Sequence, residues 1–224
     1  MDIITAKTLS GKLQISLDYI VREEYEILLL KDIFESKYGN NLVFKGGTAL
    51  RLSYGSPRFS EDLDFSLIKE FDSEGFLDFL KSLGSKYPNI IEVETKNKFY
   101  TIFAIFRINE PLLPRSFSIK IEISKRDRNL FKTKDMSLKI IKSETTVLTT
   151  LGNVASIETI LREKKDALKN RKVARDVFDF WYLNQLLKKE VEVDFTGFDR
   201  NKVKAELHKL LPKNYWRVVD VWLE

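Results

Sequence analysis

Apolar residues recur on a helical period from Leu17 to Tyr38, at Leu17, Ile20, Val21, Ile27 to Leu30, Ile33 and Phe34, and Gly39-Asn40-Asn41 supplies a stop. Leu42-Val43-Phe44 then reads as a short buried strand. It ends at Lys45-Gly46-Gly47-Thr48, after which Ala49-Leu50-Arg51-Leu52 begins a short helix. Residues Asp62 to Ile68 alternate as a strand does, and Phe71 to Leu83 returns to helical spacing after the polar start Asp72-Ser73-Glu74. Ile90 to Val93, Phe99 to Ile108 and Phe117 to Ser124 give three further strands, the last two joined through Pro111-Leu112-Leu113-Pro114. From Ser124 to about Glu144 the chain is polar and basic with no clear period. Beyond Val154 the pattern is helical again, over Ala155 to Lys169, Val173 to Lys188, Lys202 to Leu211 and Tyr215 onward. These elements predict an α+β fold in two modules. Residues 1–145 form a mixed-sheet α/β core with an N-terminal helix, and residues 146–224 an all-α C-terminal bundle.

The composition narrows the chemistry. The 224 residues contain no Cys and a single His, His208. Disulfides, thiolate nucleophiles and Cys-ligated metals are thereby excluded, as are multi-histidine metal sites. Carboxylate and lysine chemistry is what remains. The longest stretch without a charged residue runs from Thr145 to Ile157, 13 residues, short of the ~18 that would mark a membrane span. The N-terminal sequence lacks a secretory apolar core, so a soluble protein in the cytoplasm, with no membrane partner, is expected. The net charge of +5 permits a polyanionic partner, and its distribution is uneven: residues 126–190 hold 15 Lys/Arg against 9 Asp/Glu.

Asp62 and Asp64 stand two apart on one strand, so both carboxylates leave the same face while Leu63 and Phe65 point to the other. Two carboxylates so placed repel each other unless a cation sits between them, which suits a hard, oxygen-preferring ion such as Mg²⁺; a solvated strand face is the alternative. On the strand ending at Ser124, Ile119, Ile121 and Ile123 fill one face and Lys120, Glu122 and Ser124 the other, making Glu122 a candidate third carboxylate. The Gly46-Gly47 turn offers unhindered backbone N–H groups at a helix N-terminus, with Thr48, Arg58 and Ser60 available as further phosphate donors. Lys164 occupies a position in its helix where the apolar stripe Ile157, Ile160, Leu161, Leu168 calls for leucine, so either its stem packs while the ammonium reaches water or the ammonium points into a polar cleft. Asp176 similarly extends the buried face of the next helix, where helix-start charge is the plain explanation for Arg175, Asp176 and Asp179. Between Arg162 and Arg175 there are seven basic and two acidic residues. Lys165, Lys169, Arg171, Lys172 and Arg175 in that strip are candidate contacts for an RNA backbone.

In chain order, Lys45-Gly-Gly-Thr-Ala-Leu50, Arg58-Phe-Ser-Glu-Asp-Leu-Asp-Phe65, Lys120-Ile-Glu122, Glu163-Lys164 with Ala167-Leu168, and Arg175-Asp176-Val-Phe-Asp179 resemble the motifs of the AbiEii/AbiGii toxin family of nucleotidyltransferases. The likeness spans roughly residues 40 to 180 and implies a DNA polymerase β-like core. It implies a role as the toxin of a type IV-like toxin–antitoxin or phage abortive-infection system, related to the MenT toxins, which add nucleotides to tRNA 3′ ends. It makes Asp62 and Asp64 the metal pair, for Mg²⁺ or Mn²⁺, and assigns Gly46, Gly47 and Ser60 to the phosphates of an NTP. Lys164 and Asp176 fall on a lysine and an aspartate implicated in nucleotide binding and activity, and Glu122 falls where many relatives have Asp. The expected activity is transfer of NMP from an NTP to RNA, tRNA first, with release of pyrophosphate; a protein acceptor and a cognate antitoxin belong to the same expectation. A metal-dependent nuclease and a non-catalytic nucleic-acid or partner-binding protein are the alternatives. Against one common nuclease pattern, Glu122 is followed by Lys125 at three residues, where an acid-x-lysine strand needs two.

Overall fold

The computed structural model describes residues 1–126 and 131–224; residues 127–130, within the segment expected to lack a period, lie outside the described residues. Helix α1 (Ile3–Leu13) is capped by the Asp2 carboxylate, which accepts from Ile4 and Thr5 N–H. Helix α2 (Leu17–Glu35) buries Tyr19, Ile20, Val21, Ile27, Leu29, Leu30 and Ile33. Strand β1 (Leu42–Lys45) leads directly into α3 (Gly46–Tyr54), which ends at Gly55 in the left-handed conformation (φ +75°). Then come β2 (Asp62–Leu67), α4 (Ser73–Lys86), β3 (Ile90–Asn97), β4 (Thr101–Ile108), β5 (Phe117–Ser124), β6 (Met136–Lys142) and β7 (Thr149–Ala155). Four helices close the chain: α5 (Ile157–Asn170), α6 (Ala174–Leu186), α7 (Arg200–Leu210) and α8 (Trp216–Trp222).

Among the described residues seven strands form one mixed sheet in the order β3-β4-β5-β2-β1-β7-β6. Pairings β2–β5 and β1–β7 are parallel and the other four antiparallel. Leu63, Phe65, Ile119, Ile121, Ile123, Ile102, Ala104 and Phe106 are buried in one cluster with apolar residues of α2 and α4. Alternation then sends Asp62, Asp64, Lys120 and Glu122 to the opposite face. A second cluster of Val43, Leu50, Ala155, Ile160 and Leu183 joins the sheet to α5 and α6. A third, built on Ala174, Phe178, Val203, Leu207, Leu211 and Val219 with Trp181, Trp216 and Trp222 against it, holds α6, α7 and α8 together.

Three elements depart from the sequence pattern. Helix α1 buries only Ala6, so it carries almost no apolar stripe from which a period could be read. Strand β6 exposes Leu138, Ile140 and Lys142 and buries only Ile141 among its seven residues; an edge strand packed on one side at one point shows no alternation. Strand β7, within the uncharged run, carries the sheet past residue 145 to Ala155, and α5 therefore starts at Ile157 behind the Ser156 cap, whose side chain accepts from Thr159 N–H.

Candidate active site

The site is built where β1 meets α3. Gly46 has φ +80°, and a Cβ there would lie 2.5 Å from Asp64 Oδ2. Both the backbone angle and the closeness of the carboxylate therefore demand glycine. A Cβ on Gly47 would run into Arg58 Nη2 and stand 3.0 Å from Ser60 Oγ. The paired glycines thus bring the α3 N-terminus against Asp64, Arg58 and Ser60. Thr48 serves the frame instead. It is buried, and its hydroxyl donates to the Asp62 carbonyl, tying α3 to β2.

Strand register aligns the carboxylates. Asp62 pairs with Lys120 and Asp64 with Glu122 across the β2–β5 ladder, and Lys45 pairs with Asp64 on the other side. Lys120 Nζ lies 3.3 Å from Asp62 Oδ2 and 3.5 Å from Glu122 Oε2. Burial, then the neighbouring charge of Asp62, pushes the Asp64 carboxyl up to about 6. Burial works to lower the Lys120 ammonium, but Asp62, Asp64 and Glu122 together hold it above its ordinary value. The acidic face is therefore short of positive charge, with Lys120 supplying part of it. Asp62 and Asp64 are hard oxygen donors from one strand face and fit a divalent cation. Glu122 is 43% exposed and pairs with Lys120, and among the described residues no group of three Asp, Glu or His side chains is arranged to hold a metal ion.

Behind this face lies a buried chain of charges. Arg58, 2% exposed, makes a two-pronged ion pair with Asp179 of α6, Nε to Oδ1 at 2.6 Å and Nη2 to Oδ2 at 2.8 Å, and its Nη1 donates to the Phe59 carbonyl at 2.8 Å. Lys164 Nζ sits between Asp176 Oδ1 at 2.8 Å and Asp179 Oδ2 at 2.7 Å. Arg171 Nε completes the set at 2.8 Å from Asp176 Oδ2. Burial alone would raise the Asp179 carboxyl, but Arg58 and Lys164 hold it down at about 2. Lys164 thus breaks the apolar stripe of α5 because two carboxylates of α6 receive it inside the protein.

The glycine turn, the carboxylate face and the near end of the buried chain line one cleft of about 380 Å³, within the range of small-ligand sites. Gly46, Gly47, Arg58, Ser60, Asp62, Asp64, Glu122 and Lys164 all contribute to its wall, while Thr48 and Asp176 lie behind it. The strip on α5 and α6 divides. Arg171 and Arg175 line the cleft, whereas Lys165, Lys169 and Lys172 do not. Lys169 pairs with Asp166 on its own helix, and Lys172 Nζ lies 3.5 Å from the Gly197 carbonyl.

A family model described as the nucleotidyl transferase AbiEii toxin of a type IV toxin–antitoxin system matches residues 28–212. The chain belongs to the AbiEii nucleotidyltransferase toxin family. It is thus a nucleotidyltransferase, with an NTP as its donor substrate. Three solved structures share its fold. A putative nucleotidyltransferase from Helicobacter pylori is 23% identical, with 93% of this chain and 92% of that one covered and a TM-score of 0.61. JHP933 from Helicobacter pylori is 25% identical over 86% of this chain and 74% of that one, at 0.59. MenT4, a nucleotidyltransferase toxin from Mycobacterium tuberculosis H37Rv, is 22% identical over 91% of this chain and 68% of that one, at 0.58. No curated protein matches the chain. Among the described residues no helix is long and apolar enough to cross a membrane.

The AbiEii match extends past the last motif legible in the sequence, and the geometry gives the reason. Leu210 of α7 lines the cleft, its carbonyl accepts from Phe59 N–H at 2.8 Å, and Lys209 Nζ lies 2.9 Å from Glu61 Oε1. Sequence reasoning missed these tail residues. It also missed the pairing of Lys45 with Glu163 at 2.7 Å and the part of Asp179, which looked like a helix-start charge. For Asp179 a signal was present: Asp176 and Asp179 are three apart on one helix face, opposite a lysine in an apolar stripe.

Proposed function

We propose that this AbiEii protein transfers a nucleoside monophosphate from an NTP to an RNA acceptor, the tRNA 3′ end first, with Mg²⁺ or Mn²⁺ held by Asp62 and Asp64. The observation that carries this reading is the seating of Gly46 directly on the Asp64 carboxylate. That closeness supports reading the α3 start as the seat of the phosphates and Asp62 and Asp64 as that of the cation, side by side. Bound at Asp62 and Asp64, the ion supplies positive charge to the phosphates and leaving group. The chain's own groups do the positioning. The backbone N–H groups at Gly46 and Gly47 and the Ser60 hydroxyl hold the phosphates, and Arg58, fixed by Asp179 and the Phe59 carbonyl, fills the space beside Gly47. Lys164 keeps a positive charge at the cleft wall, and Asp176 positions Lys164. The acceptor hydroxyl oxygen bonds to the α-phosphorus as the bond to the bridging oxygen breaks; pyrophosphate leaves with that electron pair, and the hydroxyl proton is released. Glu122 and Lys120 border the acceptor side.

In the cell this activity acts in the cytoplasm as a growth-arresting modification of tRNA, countered by a cognate antitoxin and available for abortive infection by phage. The test is incubation with each α-³²P-labelled NTP, total tRNA and Mg²⁺, resolved on a denaturing gel, with an Asp64→Asn control and an EDTA arm. Label on RNA from one NTP, absent from both controls, is the expected result. RNA shortened without label would replace this reading with cleavage.

A further inference from the structure

We infer that the β3–β4 hairpin and the sheet face leading to it form a stacking platform for the single-stranded end of the acceptor RNA; this rests on the RNA-acceptor reading above. Strand register carries the argument. Asp64, Glu122, Phe103 and Lys96 are successive partners across β2, β5, β4 and β3, so they form one row on one face. With neighbouring strands about 5 Å apart, Phe103 stands one strand beyond Glu122 and Lys96 two. Phe103 is half-buried where its neighbours Ile102 and Ala104 are buried, so its ring belongs to the open side. Lys98 Nζ lies 5.4 Å from the centre of that ring.

The row ends at an aromatic tip. Phe99 is 84% and Tyr100 53% exposed, and their rings meet edge to face at 4.6 Å. The Arg126 guanidinium stands 5.1 Å over the Tyr100 ring. Lys125 Nζ bridges Asn97 Oδ1 and the Lys98 carbonyl, each at 2.6 Å, so the turn is braced from β5. Neither ring at the tip serves the core. The charged groups set over the platform's rings, Lys98 and Arg126, are both cations, and Glu94, two residues before Lys96 on β3, ends the platform on that face. Exposed rings interleaved with lysine and arginine are what single-stranded nucleic acid requires: a π-face for each base and a cation for each phosphate. A protein partner would favour a broader apolar patch with mixed charge at its rim. The platform lies on the opposite side of the carboxylates from the α5–α6 strip, where Lys164, Lys169 and Arg171 already have carboxylate partners.

The test compares wild type, Phe99→Ala/Tyr100→Ala and Phe99→Trp by fluorescence anisotropy, using a 5′-fluorescein twelve-nucleotide single-stranded RNA, with NTP binding measured in parallel. Both rings are at the surface, so circular dichroism and NTP binding should match wild type in every variant. The double variant should bind the RNA at least about tenfold more weakly and show a raised KM for tRNA, while Phe99→Trp retains binding. Lys96→Ala/Lys98→Ala should instead flatten the salt dependence of binding. Wild-type RNA affinity and KM in Phe99→Ala/Tyr100→Ala, with tRNA still labelled, would overturn the platform alone. A wild-type enzyme that binds no RNA and labels a protein would overturn both the platform and the RNA-acceptor reading.

Discussion

Asp62, Asp64 and Glu122 line the cleft from two strand faces, with Lys120 shared between Asp62 and Glu122, whereas Asp176 and Asp179 lie inside the protein, each satisfied by two cations. The residue types are the same and the consequences opposite. On the cleft face burial, with the nearby Asp62 charge, pushes the Asp64 carboxyl up to about 6, so its charge is incompletely compensated by the protein. In the interior the Asp179 carboxyl is held down at about 2, a sign of charge already used to fix α5, α6 and the Arg58 loop against one another. The cleft carboxylates share their cation and face the cleft; the interior ones are fully paired and tie the helices to the Arg58 loop.

Substitution should separate the two most sharply at Asp64 and Asp179. Asp64→Asn is expected to reduce transfer by roughly 10²–10³-fold or more in the radiolabel assay while leaving the protein folded. Asp179→Asn should cost about 3–5 kcal/mol in urea unfolding, because Arg58 and Lys164 would remain buried without their counter-charge, and any activity lost by the molecules that stay folded should come through the loosened Arg58 and Lys164. A destabilised Asp64→Asn, or an Asp179→Asn that melts like wild type, would collapse the distinction.

The pH dependence of stability in metal-free buffer should have opposite signs. Asp179 titrates in the folded protein at about 2, below the ordinary aspartate value of 3.8. Its contribution is therefore complete above about pH 4 and is lost as pH falls toward 2. Asp64 titrates at about 6, above 3.8, so the protonated form is favoured by folding and that contribution is lost as pH rises through 6. Asp64→Asn should accordingly raise the Tm relative to wild type at pH 8 and leave the difference near zero below pH 4. The smallest effect belongs to charges in neither group. Lys169→Ala removes an exposed pair with Asp166, 73% and 62% exposed, and should change unfolding by less than about 0.5 kcal/mol.

The elements that place the chemistry were legible because their signals are local. Alternation set Asp62 and Asp64 on one face, the Gly46-Gly47 pair marked the turn, and the stripe of α5 singled out Lys164. The frame around Lys164 was not legible, since Asp179 and Arg58 are 121 residues apart and only folding brings them together. Strands β6 and β7 were hidden for a different reason. The edge strand β6 buries one of its residues, and Gly152 of β7 is open to Phe34 of α2, where a side chain would collide. Neither leaves an alternating trace. The role of the tail was likewise invisible, because Leu210 contributes mainly a carbonyl and a patch of cleft wall.

That last contact bears on how such an enzyme is made. The cleft is walled by residues from Lys45 to Leu210, so a nascent chain emerging from the ribosome carries its glycine turn and carboxylates long before α7 closes over them. A chain interrupted before Leu210 therefore lacks both that wall and the strap from Phe59. The order of synthesis and the order of assembly thus differ: the cleft is complete only once its latest contributor, Leu210, has been made.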